Sequence, residues 1–115
     1  MYHIVTALRE SDFIESVHIL EFVDESSVRL IKIKAGITDG TLLYITEVHT
    51  SDYQKYSYYW QKTGGELIIR WDNKPHWRNI ETFPHHKHQG DSVLASERID
   101  IHEVLKVIRD RLERQ

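Results

Sequence analysis

Residues 28–49 read VRLIKIKAGITDGTLLYITEVH, and this stretch decides the fold. Its first half alternates: Arg29, Ile31, Ile33 and Ala35 fall on one side of an extended chain, with Val28, Leu30, Lys32 and Lys34 on the other. Period two is the signature of a strand, because successive side chains point to opposite faces. The second half repeats the pattern, with Leu43, Ile45, Glu47 and His49 set against Leu42, Tyr44, Thr46 and Val48. Between the halves stands Asp39-Gly40, a type I′ hairpin signal in which both central residues take positive φ. Strands joined by so short a turn run antiparallel.

The same reading extends outward. Tyr53 to Gln61 is rich in aromatics and places Tyr56, Tyr58 and Trp60 on one face of a strand. A tight turn at Lys62–Gly65 leads to a strand over Glu66–Trp71, with Leu67, Ile69 and Trp71 opposite Glu66, Ile68 and Arg70. Toward the N-terminus, Ser16 to Val23 is a strand apolar on both sides, closed by the turn Asp24-Glu25-Ser26-Ser27. Tyr2 to Glu10 is a short helix with Ile4, Val5 and Leu8 on its apolar side, and it needs a surface to dock on. At the other end, Asp100 and Glu103 make an approximate capping box. Ile101, Val104, Leu105, Ile108 and Leu112 then follow helical spacing through residues 100–113. Full burial of each of those side chains contributes about 1.5–3 kcal/mol. The expectation is an α+β fold: an antiparallel meander of about five strands, a short N-terminal helix, and a C-terminal amphipathic helix packed on the sheet.

A chain of 115 residues fits one domain, residues 1–115, large enough for a core without staples. Hydrophobic residues make up 40% and charged residues 29%, a balance that fits a soluble globular protein. No apolar run approaches the roughly 18 residues of a membrane span, and the N-terminus carries no signal-peptide pattern. The absence of cysteine excludes disulfides and thiolate metal sites. A cytoplasmic location is the corresponding expectation. The net charge of −3 argues against a generic nucleic-acid binder. The charge is unevenly spread. Residues 1–28 hold one base against six acids, whereas residues 29–90 hold nine bases against six acids. The middle of the chain is compatible with a local phosphate-facing surface, and equally with a solvated sheet face.

Chemistry concentrates in residues 70–90, RWDNKPHWRNIETFPHHKHQG, which hold four of the eight histidines and both prolines. Neutral imidazole serves as metal ligand and as proton shuttle. On an extended backbone His86 and His88 share one face, and His85 and Lys87 the other. An H-x-H pair can chelate zinc or another divalent metal, with His76, Asp72, Glu47 or His49 as a third ligand. The same residues suit metal-free acid–base chemistry. One histidine removes a proton, another returns it, and Lys87 or Arg70 stabilises developing negative charge. Cleavage of RNA by its own 2′-hydroxyl needs these parts, and Tyr56 and Tyr58 are candidates for stacking on unpaired bases. The plainer reading is a polar loop whose imidazoles cap strand ends, with the tyrosines as packing. His3, His18 and His102 stay with that plainer reading. Glu47, a carboxylate in apolar company, is a general base, a metal ligand or an ion-pair partner of Arg70. Asp72-Asn73 before Lys74-Pro75 reads as a turn, with orienting roles for both side chains.

Taken in order, Asp39-Gly40, Glu47, Tyr56-Ser57-Tyr58 with Gln61, Arg70-Trp71-Asp72-Asn73-Lys74-Pro75-His76 and Thr82-Phe83-Pro84-His85-His86-Lys87-His88 resemble the TumE-type toxins of prokaryotic toxin–antitoxin systems. The resemblance is carried by residues 28–90 and by the C-terminal helix. It implies a toxin neutralised by a small DNA-binding antitoxin and directed at RNA or translation. It carries over Glu47, Arg70, Asp72, His76, His85, His86, Lys87 and His88 as functional residues. Two expectations follow. The first is a ribonuclease that needs no cofactor, with His85, His86, His88, Glu47 and His76 as acid and base and Lys87 and Arg70 on phosphate. It leaves a homodimer open. The second is a non-enzymatic metal-binding or protein-interaction module, with zinc on His86, His88 and His76.

Overall fold

The computed structural model describes residues 2–114. The elements are α1 (Tyr2–Glu10), β1 (Ile14–Asp24), β2 (Val28–Ile37), β3 (Leu42–Thr50), β4 (Gln54–Gln61), β5 (Leu67–Asp72), β6 (His86–Gln89), β7 (Ser92–Ala95) and α2 (Ile101–Glu113). All seven strands form one sheet in sequence order, each antiparallel to the next. The class is the expected α+β meander, but with seven strands in place of about five. The extra pair is the hairpin β6–β7, which turns at Gly90-Asp91 with Gly90 at φ +60°. A glycine opening a two-residue turn between short extended runs is a hairpin signal that the sequence reading passed over.

The first hairpin also differs in detail. Gly40 N–H donates to the Ile37 carbonyl at 2.9 Å, and Ile37 N–H to the Thr41 carbonyl at 2.9 Å. Gly40 alone has positive φ, +89°, so the loop is the three-residue type with glycine at its left-handed position, not type I′. Asp39 stabilises it by accepting from the Thr41 N–H at 2.9 Å and the Thr41 hydroxyl at 2.6 Å.

Period two sorts the sheet into two faces. Ile31, Ile33, Ala35 and Ile37 of β2, Leu43 and Ile45 of β3, Tyr56, Tyr58 and Trp60 of β4, and Ile69 and Trp71 of β5 form a buried layer. Onto it pack Ile4, Ala7 and Leu8 of α1 and Ile101, Val104, Leu105 and Ile108 of α2. Asp100 caps α2, accepting from the Glu103 N–H at 3.1 Å, as its position three residues upstream predicts. The register carries the opposite face across the sheet in rows. One row is Lys34, Tyr44, Tyr59, Arg70, His88 and Val93; its neighbour is Lys32, Thr46, Ser57, Asp72, His86 and Ala95. No described helix is long and apolar enough to cross a membrane.

The energetic centre is the helix-covered face. Ile33 is fully buried, paired with Ile19 and Ile45. Ile33→Ala removes buried methylenes and leaves a cavity, so urea denaturation should show a loss of about 2–5 kcal/mol. Lys34→Ala, on the opposite face, should change stability by only about 0.5 kcal/mol or less.

Candidate functional site

The site is built where β5 ends and β6 returns beside it. Asp72 pairs with His86 in the ladder, and Arg70 with His88. All four side chains stand on the face away from the helices. Asp72 is 1% exposed, a position that a carboxylate occupies only with compensation. Compensation is dense. Oδ1 accepts the Lys74 N–H at 3.0 Å, and Oδ2 accepts the Arg70 Nε–H at 3.0 Å. His86 Nε2 lies 3.0 Å from Oδ1, and His88 Nε2 lies 3.7 Å from Oδ2. The Arg70 guanidinium also donates to His88 Nε2 at 3.2 Å and lies 5.8 Å from the Tyr59 ring centroid. Trp77 meets the imidazoles of His86 and His88 at 6.4 and 6.0 Å between ring centroids, close to edge-on.

His86 is as buried as Asp72. Its Nδ1–H donates to the Pro84 carbonyl at 2.9 Å, because a carbonyl can only accept. That bond brings Nε2 beside Asp72, yet among the described residues Nε2 has no hydrogen-bond partner: the short distance to the carboxylate lacks hydrogen-bonding alignment. His88 is the more open of the two imidazoles. Burial lowers its pKa, and the Arg70 charge lowers it further. A neutral His88 is therefore the expected form at pH 7, with Nε2 as an acceptor. The loop before β6 is pinned by Thr82, whose hydroxyl donates to the His85 carbonyl at 2.6 Å and accepts the Ser96 N–H at 2.9 Å. Thr82 and Trp77 lie in the quoted segment, but nothing in their spacing announces these contacts.

A second polar cluster sits on the opposite, helix-covered face. Glu47, 7% exposed, accepts the Tyr58 hydroxyl at 2.5 Å and pairs with His49 Nε2 at 3.2 Å. Burial pushes the Tyr58 hydroxyl far above its usual range, and the Glu47 charge adds to the effect. The Tyr56 hydroxyl and His85 Nδ1 share a hydrogen bond of 2.9 Å. The Tyr56 pKa is pushed up to about 12, first by burial, and burial also lowers that of His85, with Arg98 adding to it. Glu47, His49, Tyr56 and Tyr58 line a cavity of about 160 Å³ with His3, Arg98 and Asp100.

The candidate residues thus divide. The fold brings Arg70, Asp72, His86 and His88 together. It places Glu47, His85, Tyr56, Tyr58 and Lys87, the last in register with Trp71, on the other face. Glu47 is not the ion-pair partner of Arg70; Asp72 is. Tyr56 and Tyr58 are buried inside the protein, and Ser57 and Tyr59 are among the residues of β4 on the opposite face. His76 lies exposed in the loop and contributes no atom to the Asp72–His86–His88 group. Asn73 is structural: its Oδ1 accepts the Tyr56 N–H at 3.0 Å and its Nδ2 donates to the Gln54 carbonyl at 2.8 Å, extending the β4–β5 pairing by one side chain.

A family model described as toxin TumE matches residues 4–113. The chain belongs to the toxin TumE family. The family supplies what the geometry alone does not: this is the toxin of a toxin–antitoxin pair, and an antitoxin is its partner. The match takes in α1 from Ile4, all seven strands and α2, and so extends N-terminally beyond residues 28–90 and the C-terminal helix that carried the resemblance. No curated protein and no solved structure matches the chain.

Glu47 offers a test of the second cluster. Tyr58→Phe removes the hydroxyl donor and leaves the buried carboxylate short of one partner. Chemical denaturation should register about 1–3 kcal/mol of lost stability.

Proposed function

We propose that this TumE-family toxin acts on RNA, cleaving the phosphodiester backbone by acid–base chemistry at the Arg70–Asp72–His86–His88 cluster. The observation that supports this reading most is the row Lys34–Tyr44–Tyr59–Arg70–His88, which runs across the sheet on the face away from the helices. Two adjacent tyrosine rings stand between two cations along it, a set that suits a single strand of nucleic acid: phosphates meet the charges and bases meet the rings. The row ends at an imidazole backed by a buried carboxylate.

In this reading Arg70 binds the scissile phosphate and offsets the negative charge that builds on it. His88 Nε2 takes the proton of the 2′-hydroxyl as that oxygen attacks phosphorus. The bond to the 5′-oxygen breaks, and that oxygen takes a proton from exposed His76 in the loop beside Trp77. The products are a 2′,3′-cyclic phosphate and a free 5′-hydroxyl, so no metal or oxidant enters the balance. Asp72 and His86 touch no substrate. They are positioning residues that hold Arg70 and the His88 strand in place. The antitoxin that fits this reading is a small DNA-binding protein that neutralises the toxin by direct contact in the cytoplasm.

His88→Ala should reduce RNA cleavage by purified protein about 10²–10⁴-fold, the usual worth of a general base. It should also relieve growth inhibition, with the circular dichroism spectrum unchanged. Tyr59→Ala should weaken binding of single-stranded RNA by about 1–3 kcal/mol. RNA of several kinds left intact by active, growth-inhibiting protein would overturn the reading.

A further inference from the structure

We infer that Asp72, His86 and His88 form a binding site for one divalent transition-metal ion of the zinc type, and that the bound ion shuts off the RNA-directed chemistry of the same site. The second half rests on the function proposed above. The first half does not.

Two observations carry the metal site. One atom from each of the three side chains falls within 4.8 Å of the others, a spacing that a single ion can span. Independently, His86 Nε2 is buried and has no hydrogen-bond partner. With Nδ1–H bonded to the Pro84 carbonyl, the other ring nitrogen, Nε2, lies 3.0 Å from a carboxylate oxygen of Asp72 in a geometry that makes no hydrogen bond. A ring nitrogen and a carboxylate oxygen held this close without a hydrogen bond between them are two donors that one cation can bridge. The hydrogen bond from the second ring nitrogen to a backbone carbonyl is the usual outer support of a metal-bound histidine. Two imidazoles and one carboxylate are the donors of three-ligand zinc sites with an open fourth position, and imidazole nitrogen disfavours magnesium and calcium.

Arg70 is the competitor. Its guanidinium already neutralises Asp72 and donates to His88 Nε2, the lone pair that the ion needs. Metal binding therefore requires Arg70 to release His88 while keeping Asp72, and His88 to close on the carboxylate from 3.7 Å. A bound ion consumes the His88 lone pair that the acid–base chemistry needs and breaks the Arg70–His88 contact. Metal and RNA chemistry then exclude each other. The Trp77 ring borders both imidazoles, so ion and RNA approach past the same side chain.

The test is calorimetric titration of zinc chloride into tag-free protein, alongside RNA cleavage with and without zinc. The expected result is about one equivalent bound, a higher thermal midpoint, and cleavage that falls with zinc and recovers on chelation. Asp72→Asn and His88→Ala should each weaken binding at least as much as loss of an outer-shell partner does, roughly 10–100-fold. His76→Ala and His18→Ala should leave it unchanged. Arg70→Gln separates the two halves: zinc binding tightens as RNA cleavage falls. Absence of zinc binding in active protein would overturn the site. Binding that survives both Asp72→Asn and His88→Ala would overturn it as well. Cleavage that rises with zinc would overturn the exclusion. Zinc binding in protein that cleaves no RNA would leave the site standing and remove the function.

Discussion

Successive residues of a strand face opposite ways, and in this meander that parity decides which side chains can meet. The central ladders β2–β3 and β3–β4 run without a register shift, so a residue's odd or even position on one strand assigns its neighbours on the next. Ile33, Ile45, Tyr58 and Trp71 align into a buried row under the helices. One position along, the rows carry Thr46, Ser57, Asp72 and His86, then Tyr44, Tyr59, Arg70 and His88. A one-residue slip in β6 would exchange His86 and His88 for His85 and Lys87 and dismantle the cluster.

The two polar clusters show what burial demands. Glu47 stays under the helices because a tyrosine hydroxyl and an imidazole supply its partners. Asp72 is surrounded by a backbone N–H, a guanidinium and two imidazoles. A carboxylate that well supplied orders its neighbours as much as they stabilise it, and four side chains from two strands share one arrangement. The exception is His86 Nε2, buried and without a bond in a cluster otherwise satisfied. That atom makes the site a candidate for more than structural service.

The hairpin register explains how the sequence reading succeeded and where it stopped. Strands with clean alternation, β2 and β3, were legible to within a residue or two at their ends. The separation of His86 and His88 from His85 and Lys87 was legible too, since it needs only period two. The strand pair β6–β7 was not, because Pro84 and a dense run of imidazoles masked a four-residue strand. The partnership of Asp72 with His86 and of Arg70 with His88 depends on a register set across residues 73–85, and no local pattern encodes it. For the same reason an ion pair of Arg70 with Glu47, one of three readings of Glu47 open from sequence, does not form: Glu47 lies on the other face.

By itself the sequence determined the α+β class, the order of the elements, the capped amphipathic helix α2 and the family, because periodicity, turn residues and motif order are local properties of the chain. Only the tertiary structure decided the site. It chose Asp72 over His76 as the companion of the two histidines, moved Glu47, His85 and both buried tyrosines to the opposite face, and brought Trp77 against the imidazoles. The physical reason is that a site is a set of distances between strands, and those distances follow from register and loop path, which depend on all of the packing at once.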